Sequence, residues 1–251
     1  MYQTDNIEDL SCMLRLPYLR DHYQQEIDHA IKAKLSFHDF LLTILRAQVV
    51  QRVDNSINRA LMSAGFTAIK RLEEFDFSFQ PQIDEKKIRE LASLQFLDKH
   101  ENIIFLGPPG VGKTHLATAM GVKACQANKR VAFFTVQQII SELVVANTTG
   151  LLPKFLQKIN RLDLLIIDEL GYMDLDTVQA GLFFQLISKR YERGSVIVTT
   201  NKNPDQWGDI FNDSVVASAI LDRLFHHCHP FIITGKSYRM KQFQQTKTET
   251  Q

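Results

Sequence analysis

Twenty residues, NIIFLGPPGVGKTHLATAMG from Asn102 to Gly121, restrict the choice of fold more than any other stretch. An apolar run the length of a buried strand leads into a glycine-rich turn, and an alanine-rich helical pattern follows at once. The turn, Gly107-Pro108-Pro109-Gly110-Val111-Gly112-Lys113-Thr114, fits the pattern GxxxxGK[ST] in full. Glycines at 107, 110 and 112 let successive backbone N–H groups converge on phosphate oxygens, and the helix N-terminus adds partial positive charge. On this reading Lys113 reaches the β and γ phosphates of ATP and Thr114 places its hydroxyl on Mg²⁺, with His115 completing the candidate cradle.

A phosphate loop of this type needs a buried parallel sheet around it, and the rest of the chain supplies the strands. Runs rich in β-branched residues recur at 103–106 (IIFL), 131–136 (VAFFTV), 164–168 (LLIID), 195–200 (SVIVTT) and 231–234 (FIIT), with helical patterns between them. The expected fold class is α/β, a five-stranded parallel sheet flanked by helices over residues 85–240.

Two strand ends carry further chemistry. LLIID ends in Asp168 with Glu169 next. Behind an intact phosphate loop, Asp168 is the candidate Mg²⁺ ligand and Glu169 the candidate catalytic base that orients the attacking water; a strand-end cap is the plainer alternative. SVIVTT runs into Asn201, which could bond that water or the γ-phosphate, or simply begin a turn.

Residues 1–66 read as helical throughout. Pro17 opens one helix, and Ser36 with Asp39 three residues on resembles a capping box ahead of Phe37, Phe40, Leu41, Ile44, Leu45 and Val49. Gly65 offers the stop. A connecting arm is expected at 67–84, where Phe75, Phe77 and Phe79 alternate as in an extended segment; its aromatic side packs on a neighbouring surface or forms an edge strand. The polar tail 241–251 is expected to be disordered.

Composition excludes several classes. The net charge of +1 over 251 residues gives no global case for nucleic acid. Three widely spaced cysteines argue against a disulfide framework, and the absence of a long apolar run or a leader-like N-terminus points to the cytoplasm. Charge is nevertheless uneven: residues 103–162 carry Lys113, Lys123, Lys129, Arg130, Lys154, Lys158 and Arg161 against the single acid Glu142. These cations either face DNA phosphates or form a solvated face. In FHHCHPF (225–231), four consecutive potential ligands cannot all face one ion, and a helix end near a subunit interface is the preferred reading over a zinc site.

Together, GPPGVGKTHLA, LLIIDELGY, YERGSVIVTTN, LDRLFHH and GKSYRMK resemble the AAA+ ATPases of the IstB and DnaC group. LRLPYLRDHYQQ, LSFHDFLLTIL and EEFDFSFQPQID resemble IstB within it. The resemblance implies a homo-oligomer with ATP at subunit interfaces and an N-terminal domain that engages a transposase of IstA type. It also implies target-DNA selection on duplex DNA, contacted through Lys129, Arg130, Lys154, Lys158 and Arg161. It places Asn201 as sensor 1, Arg223 as the arginine finger and Arg239 as the sensor 2 arginine. From the residues alone, Arg223 could equally pair with Asp222 or Asp209. A helicase loader on single-stranded DNA and an ATP-bound scaffold with negligible turnover are the alternatives.

Overall fold

The structure is a computed structural model and describes residues 6–240. The expected tail at 241–251 lies outside the described residues. The chain divides into two compact units, Met1–Arg59 and Ala60–Gln251.

The first unit is helical. Helix α1 (Ile7–Met13) starts at Asn6, whose side chain accepts the Glu8 N–H, and α2 (Pro17–Ala33) enters through its proline. Helix α3 (Phe37–Ala64) begins at the expected box: Ser36 Oγ donates to Asp39 at 2.6 Å and accepts the Asp39 N–H at 3.1 Å. The Tyr18 N–H is held by Gln48 Oε1 at 3.1 Å. Phe37, Leu41, Leu45, Val49 and Val53, four residues apart, leave an apolar stripe of α3 exposed.

In the second unit the arm holds no strand. Its 3₁₀ turn at Leu72–Glu74 and the residues after it fold Phe75 and Phe77 onto the core, so the alternating aromatics mark packing and not a ladder. After Asp84 the chain forms two helices, α4 (Glu85–Leu91) and α5 (Gln95–Asp98), because Leu94 takes a left-handed conformation between them. Strand β1 (Asn102–Leu106) then precedes α6 (Lys113–Gln126), and β2 (Val131–Thr135) precedes α7 (Val136–Thr148) and α8 (Leu152–Asn160). Strand β3 (Leu164–Leu170), α9 (Thr177–Arg190), β4 (Ser195–Thr200), α10 (Trp207–Phe211), α11 (Ser214–Phe225) and β5 (Cys228–Ile232) complete the unit.

All five strands are parallel, in the order β2-β3-β4-β1-β5. Both faces are covered, and alternation along each strand decides which residue faces which layer. Leu164 and Ile166 of β3 join Ile103, Phe105 and Ile197 beneath α6, whereas Leu165 and Ile167 join Ile104, Val196 and Val198 beneath α7, α9 and α11. Gly121 lets α6 settle close to the sheet: a Cβ there would stand 2.7 Å from Ile166 and 2.8 Å from Phe66. The last strand starts earlier than its apolar run suggests, at Cys228 and not at Phe231, since Cys228, His229 and Pro230 pair with Asn102, Ile103 and Ile104.

Arg190, at the end of α9, is 1% exposed, and burial pushes its guanidinium down to about 10. It donates to the carbonyls of Ile159 at 2.8 Å, Leu162 at 3.3 Å and Ser195 at 2.8 Å. It thereby satisfies the end of α8 and the start of β4 at once. Arg190→Met removes those donors and leaves three carbonyls to find others. Urea unfolding should show a loss of about 2 kcal/mol, the order of one or two buried acceptors left unpaired.

Candidate nucleotide site

Parallel strands aim their carboxyl ends at one edge of the sheet, and the order β3-β4-β1 puts β4 between the glycine-rich loop and the acidic strand end. The loop runs from Gly107 to Gly112 and opens directly into α6. Two positions require glycine. A Cβ at Gly107 would meet the Ile233 carbonyl at 2.1 Å, and Gly112, with φ of 102°, has the Phe75 ring 2.5 Å from where a Cβ would sit.

Lys113 is 6% exposed, and its ammonium donates to the carbonyls of Gly107 at 2.6 Å and Pro108 at 2.8 Å. Burial holds it below the ordinary lysine value; Asp168 and Glu169 pull upward, and Arg239 adds to the downward shift. The next residue, Thr114, donates its hydroxyl to Asp168 Oδ1 at 3.0 Å. That carboxylate, 3% exposed, also accepts a short hydrogen bond from the Thr199 hydroxyl of β4. Thr199 in turn accepts the Glu169 N–H at 3.0 Å. Here the β3–β4 register shifts between Ile167 and Leu170, and Glu169 has φ of 66° with an exposed side chain. The irregularity turns the second carboxylate out of the strand and towards the cavity.

That cavity, of 590 Å³, is lined by Pro109 through Thr114, His115, Glu169, Thr199 and Arg239, and by the arm through Thr67, Lys70, Phe75, Asp76, Phe79 and Gln80. His115 Nε2 lies 2.8 Å from the Arg71 carbonyl and its ring meets Phe75 edge-on, while Lys123 of α6 pairs with Glu73 at 2.6 Å. The arm is therefore fastened to the phosphate-loop helix. The segment after β5 closes the other side: the Ile233 N–H bonds the Leu106 carbonyl, the Tyr238 N–H bonds the Gly110 carbonyl, and Gln80 donates to the Lys236 carbonyl.

The remaining expected residues fall in several places. Asn201 stands one residue beyond β4, outside the cavity lining, with its Oδ1 buried and without a hydrogen-bond partner among the described residues. Arg223, in the last turn of α11, is also outside that lining. It pairs with neither Asp222 nor Asp209 among the described residues; its guanidinium bonds the Ala219 carbonyl at 2.7 Å and lies over the Phe184 ring at 4.8 Å. Lys154, Lys158 and Arg161 are exposed at successive i+4 and i+3 steps along α8 and its cap, one face opposite the buried Leu156 and Ile159. Lys129 is paired with Asp98 at 3.2 Å and Arg130 with Asp163 at 3.0 Å. FHHCHPF is divided: the helix ends at Phe225, His229 sits 2.8 Å from Glu101, and burial pushes the Cys228 thiol up to about 12.

Two contributors escape a reading of the sequence. Thr199 looks like one more β-branched strand residue; its only signal is that Thr199 and Thr200 are hydroxyls at the end of an otherwise aliphatic run. The other is the arm, whose alternating aromatics carry no local sign that they wall a cavity.

Comparison with known proteins fits this geometry. Residues 10–246 match the family of IstB-like ATP binding proteins. The chain is 43% identical over 236 residues to the ATP-binding protein of insertion sequence IS21 from Pseudomonas aeruginosa, covering 94% of this chain and 89% of that one. It is 39% identical over 249 residues to that of insertion sequence IS5376 from Geobacillus stearothermophilus, covering 98% and 99%. Among solved structures, AMPPCP-bound DnaA from Aquifex aeolicus superposes with a TM-score of 0.56 at 20% identity, over 74% of this chain and 56% of that one, a likeness of fold. A glycine-rich strand-to-helix loop, an acid pair and a hydroxyl bridge at one edge of a parallel sheet, with a family match and relatives along nearly the whole length, make the chain a member of the IstB-like ATP-binding protein family.

Proposed function

We propose that this protein is an ATPase that assembles on duplex DNA with ATP between subunits, and helps a transposase of IstA type engage its target, with hydrolysis ending the complex. The observation that carries the reading is the division of the site. One chain brings Lys113, Thr114, Glu169 and Arg239 to one cavity, with Asp168 bonded to Thr114, while Arg223 lies outside that lining on the same unit.

Within the chain, the loop amides and Lys113 hold the β and γ phosphates, exchanging neutral loop carbonyls for charged phosphate oxygens at the ammonium. The Thr114 hydroxyl and the Asp168 carboxylate, 3.0 Å apart, are a hard oxygen pair that suits Mg²⁺. When bound, Mg²⁺ neutralises charge on the β and γ oxygens. Glu169 orients and polarises the attacking water from the cavity side. The unpaired Oδ1 of Asn201 is an acceptor at the end of β4 for the same water network. Arg239 neutralises phosphate charge in its own chain. Arg223 would do so in a neighbouring chain, so that ATP favours assembly and assembly favours hydrolysis.

DNA contact is best supported for Lys154, Lys158 and Arg161, whose ammonium and guanidinium groups share one exposed face and make no ion pair among the described residues. Lys129 and Arg130 would have to exchange a carboxylate for a phosphate, a small cost for exposed pairs, and so are secondary contacts. The insertion-sequence relatives support a transposition partner over a replicative one. The N-terminal unit, with its exposed apolar stripe on α3, is the proposed docking element for the transposase.

Glu169→Gln should lower steady-state phosphate release by about a hundredfold or more while ATP affinity is retained. Unchanged turnover would instead support a scaffold that only binds ATP. For DNA, the doubly charge-reversed Lys154→Glu, Lys158→Glu variant should flatten the plot of log affinity against log salt by about two units, one per lost phosphate contact. An unchanged slope removes α8 from the interface, and a strong preference of the wild-type protein for single strands with ATP present would favour a helicase loader.

A further inference from the structure

Consecutive histidines on a regular helix diverge by about 100°, which is why FHHCHPF by itself argues against a metal. The end of α11 changes that geometry. His226 is the cap residue, the chain then turns towards β5, and the rings of His226 and His227 come to lie with centroids 4.1 Å apart. A third group arrives from another element: Glu192, in the turn between α9 and β4, offers a carboxylate oxygen. One ligand atom from each of Glu192, His226 and His227 lies within 4.8 Å of the other two.

We propose that Glu192, His226 and His227 form a binding site for a borderline divalent transition metal, Zn²⁺ foremost, separate from the nucleotide cavity. Three arguments support it. Two imidazoles with one carboxylate are the donor set that such ions prefer and that Mg²⁺ does not. Ligands around one tetrahedral zinc stand roughly 3.4 Å apart, so closure asks only small rotations of three exposed side chains. The Tyr191 hydroxyl lies 2.9 Å from His226 Nδ1, which fixes that ring and leaves Nε2 for the ion, the outer-sphere arrangement that orients metal-binding histidines.

The nearby candidates of the same motif are otherwise engaged. Cys228 lies within β5, paired with Asn102 of β1, and His229 is bonded to Glu101. Three protein ligands leave one position open to solvent. An ion here would tie the α9–β4 turn to the end of α11, three residues beyond Arg223, and so stiffen the helix that carries that arginine.

The test is calorimetric titration of the untagged full-length protein with zinc chloride in millimolar Mg²⁺, which occupies oxygen sites without competing for imidazoles. It is paired with absorption spectra of the Co²⁺-loaded protein. One saturable site is expected, weakened at least about tenfold by Glu192→Ala and by His227→Ala, and unchanged by Cys12→Ser, Cys228→Ser and His229→Gln. Co²⁺ should give visible ligand-field bands without thiolate charge transfer. Absence of a saturable site, wild-type affinity in either ligand variant, or thiolate charge transfer would overturn the assignment. Because the three ligands are exposed, circular dichroism of the variants should match the wild type.

Discussion

The carboxylate of Asp168 is the point on which the second unit converges. It is almost fully buried, and a buried charge is tolerated only with partners to replace its hydration. Those partners are the Thr114 hydroxyl at the start of α6 and the Thr199 hydroxyl on β4. Thr199 then uses its remaining acceptor capacity on the Glu169 amide, exactly one residue on from the acid it serves, so a single threonine positions both carboxylates. This linkage exists only because β4 is inserted between β1 and β3; in a sheet where those two were neighbours, no third strand could bridge loop and acid.

That dependence explains what the sequence could and could not disclose. The run from Gly107 to Thr114 is legible because its requirements are local: glycines where the backbone passes close to Ile233 and Phe75, then a lysine and a hydroxyl at the helix start. The existence of the five strands is legible for the same reason, since each is a short apolar run between helical patterns. Strand order is not, because adjacency is a long-range choice, and Thr199 is therefore invisible as a ligand of Asp168 until β3 and β4 are side by side. The end of the sheet is misread in the same way. Cys228, His229 and Pro230 carry no strand pattern, and it is pairing with β1 that draws them into the ladder.

The arm shows a different kind of hidden information. Phe75, Phe77 and Phe79 alternate like a strand, yet Phe75 lies on Gly112 and His115 while Phe79 meets Tyr238 edge-on. Their spacing reflects surfaces supplied by distant segments, so no local period could identify the role. The same contacts make the arm part of the cavity wall. With the Arg71 carbonyl on His115 and Glu73 on Lys123, movement of the phosphate-loop helix and movement of the arm are coupled through bonded neighbours.

The electrostatics of the cavity turn on Lys113. Burial holds Lys113 below its ordinary value; Asp168 opposes that shift more strongly than Arg239 adds to it, and Glu169 pulls the same way as Asp168. An anion at the ammonium would replace the hydration that burial removes. Because Arg239 follows directly on the Tyr238 N–H bond to the Gly110 carbonyl, the same charge that Lys113 senses acts on the C-terminal segment fastened over the loop.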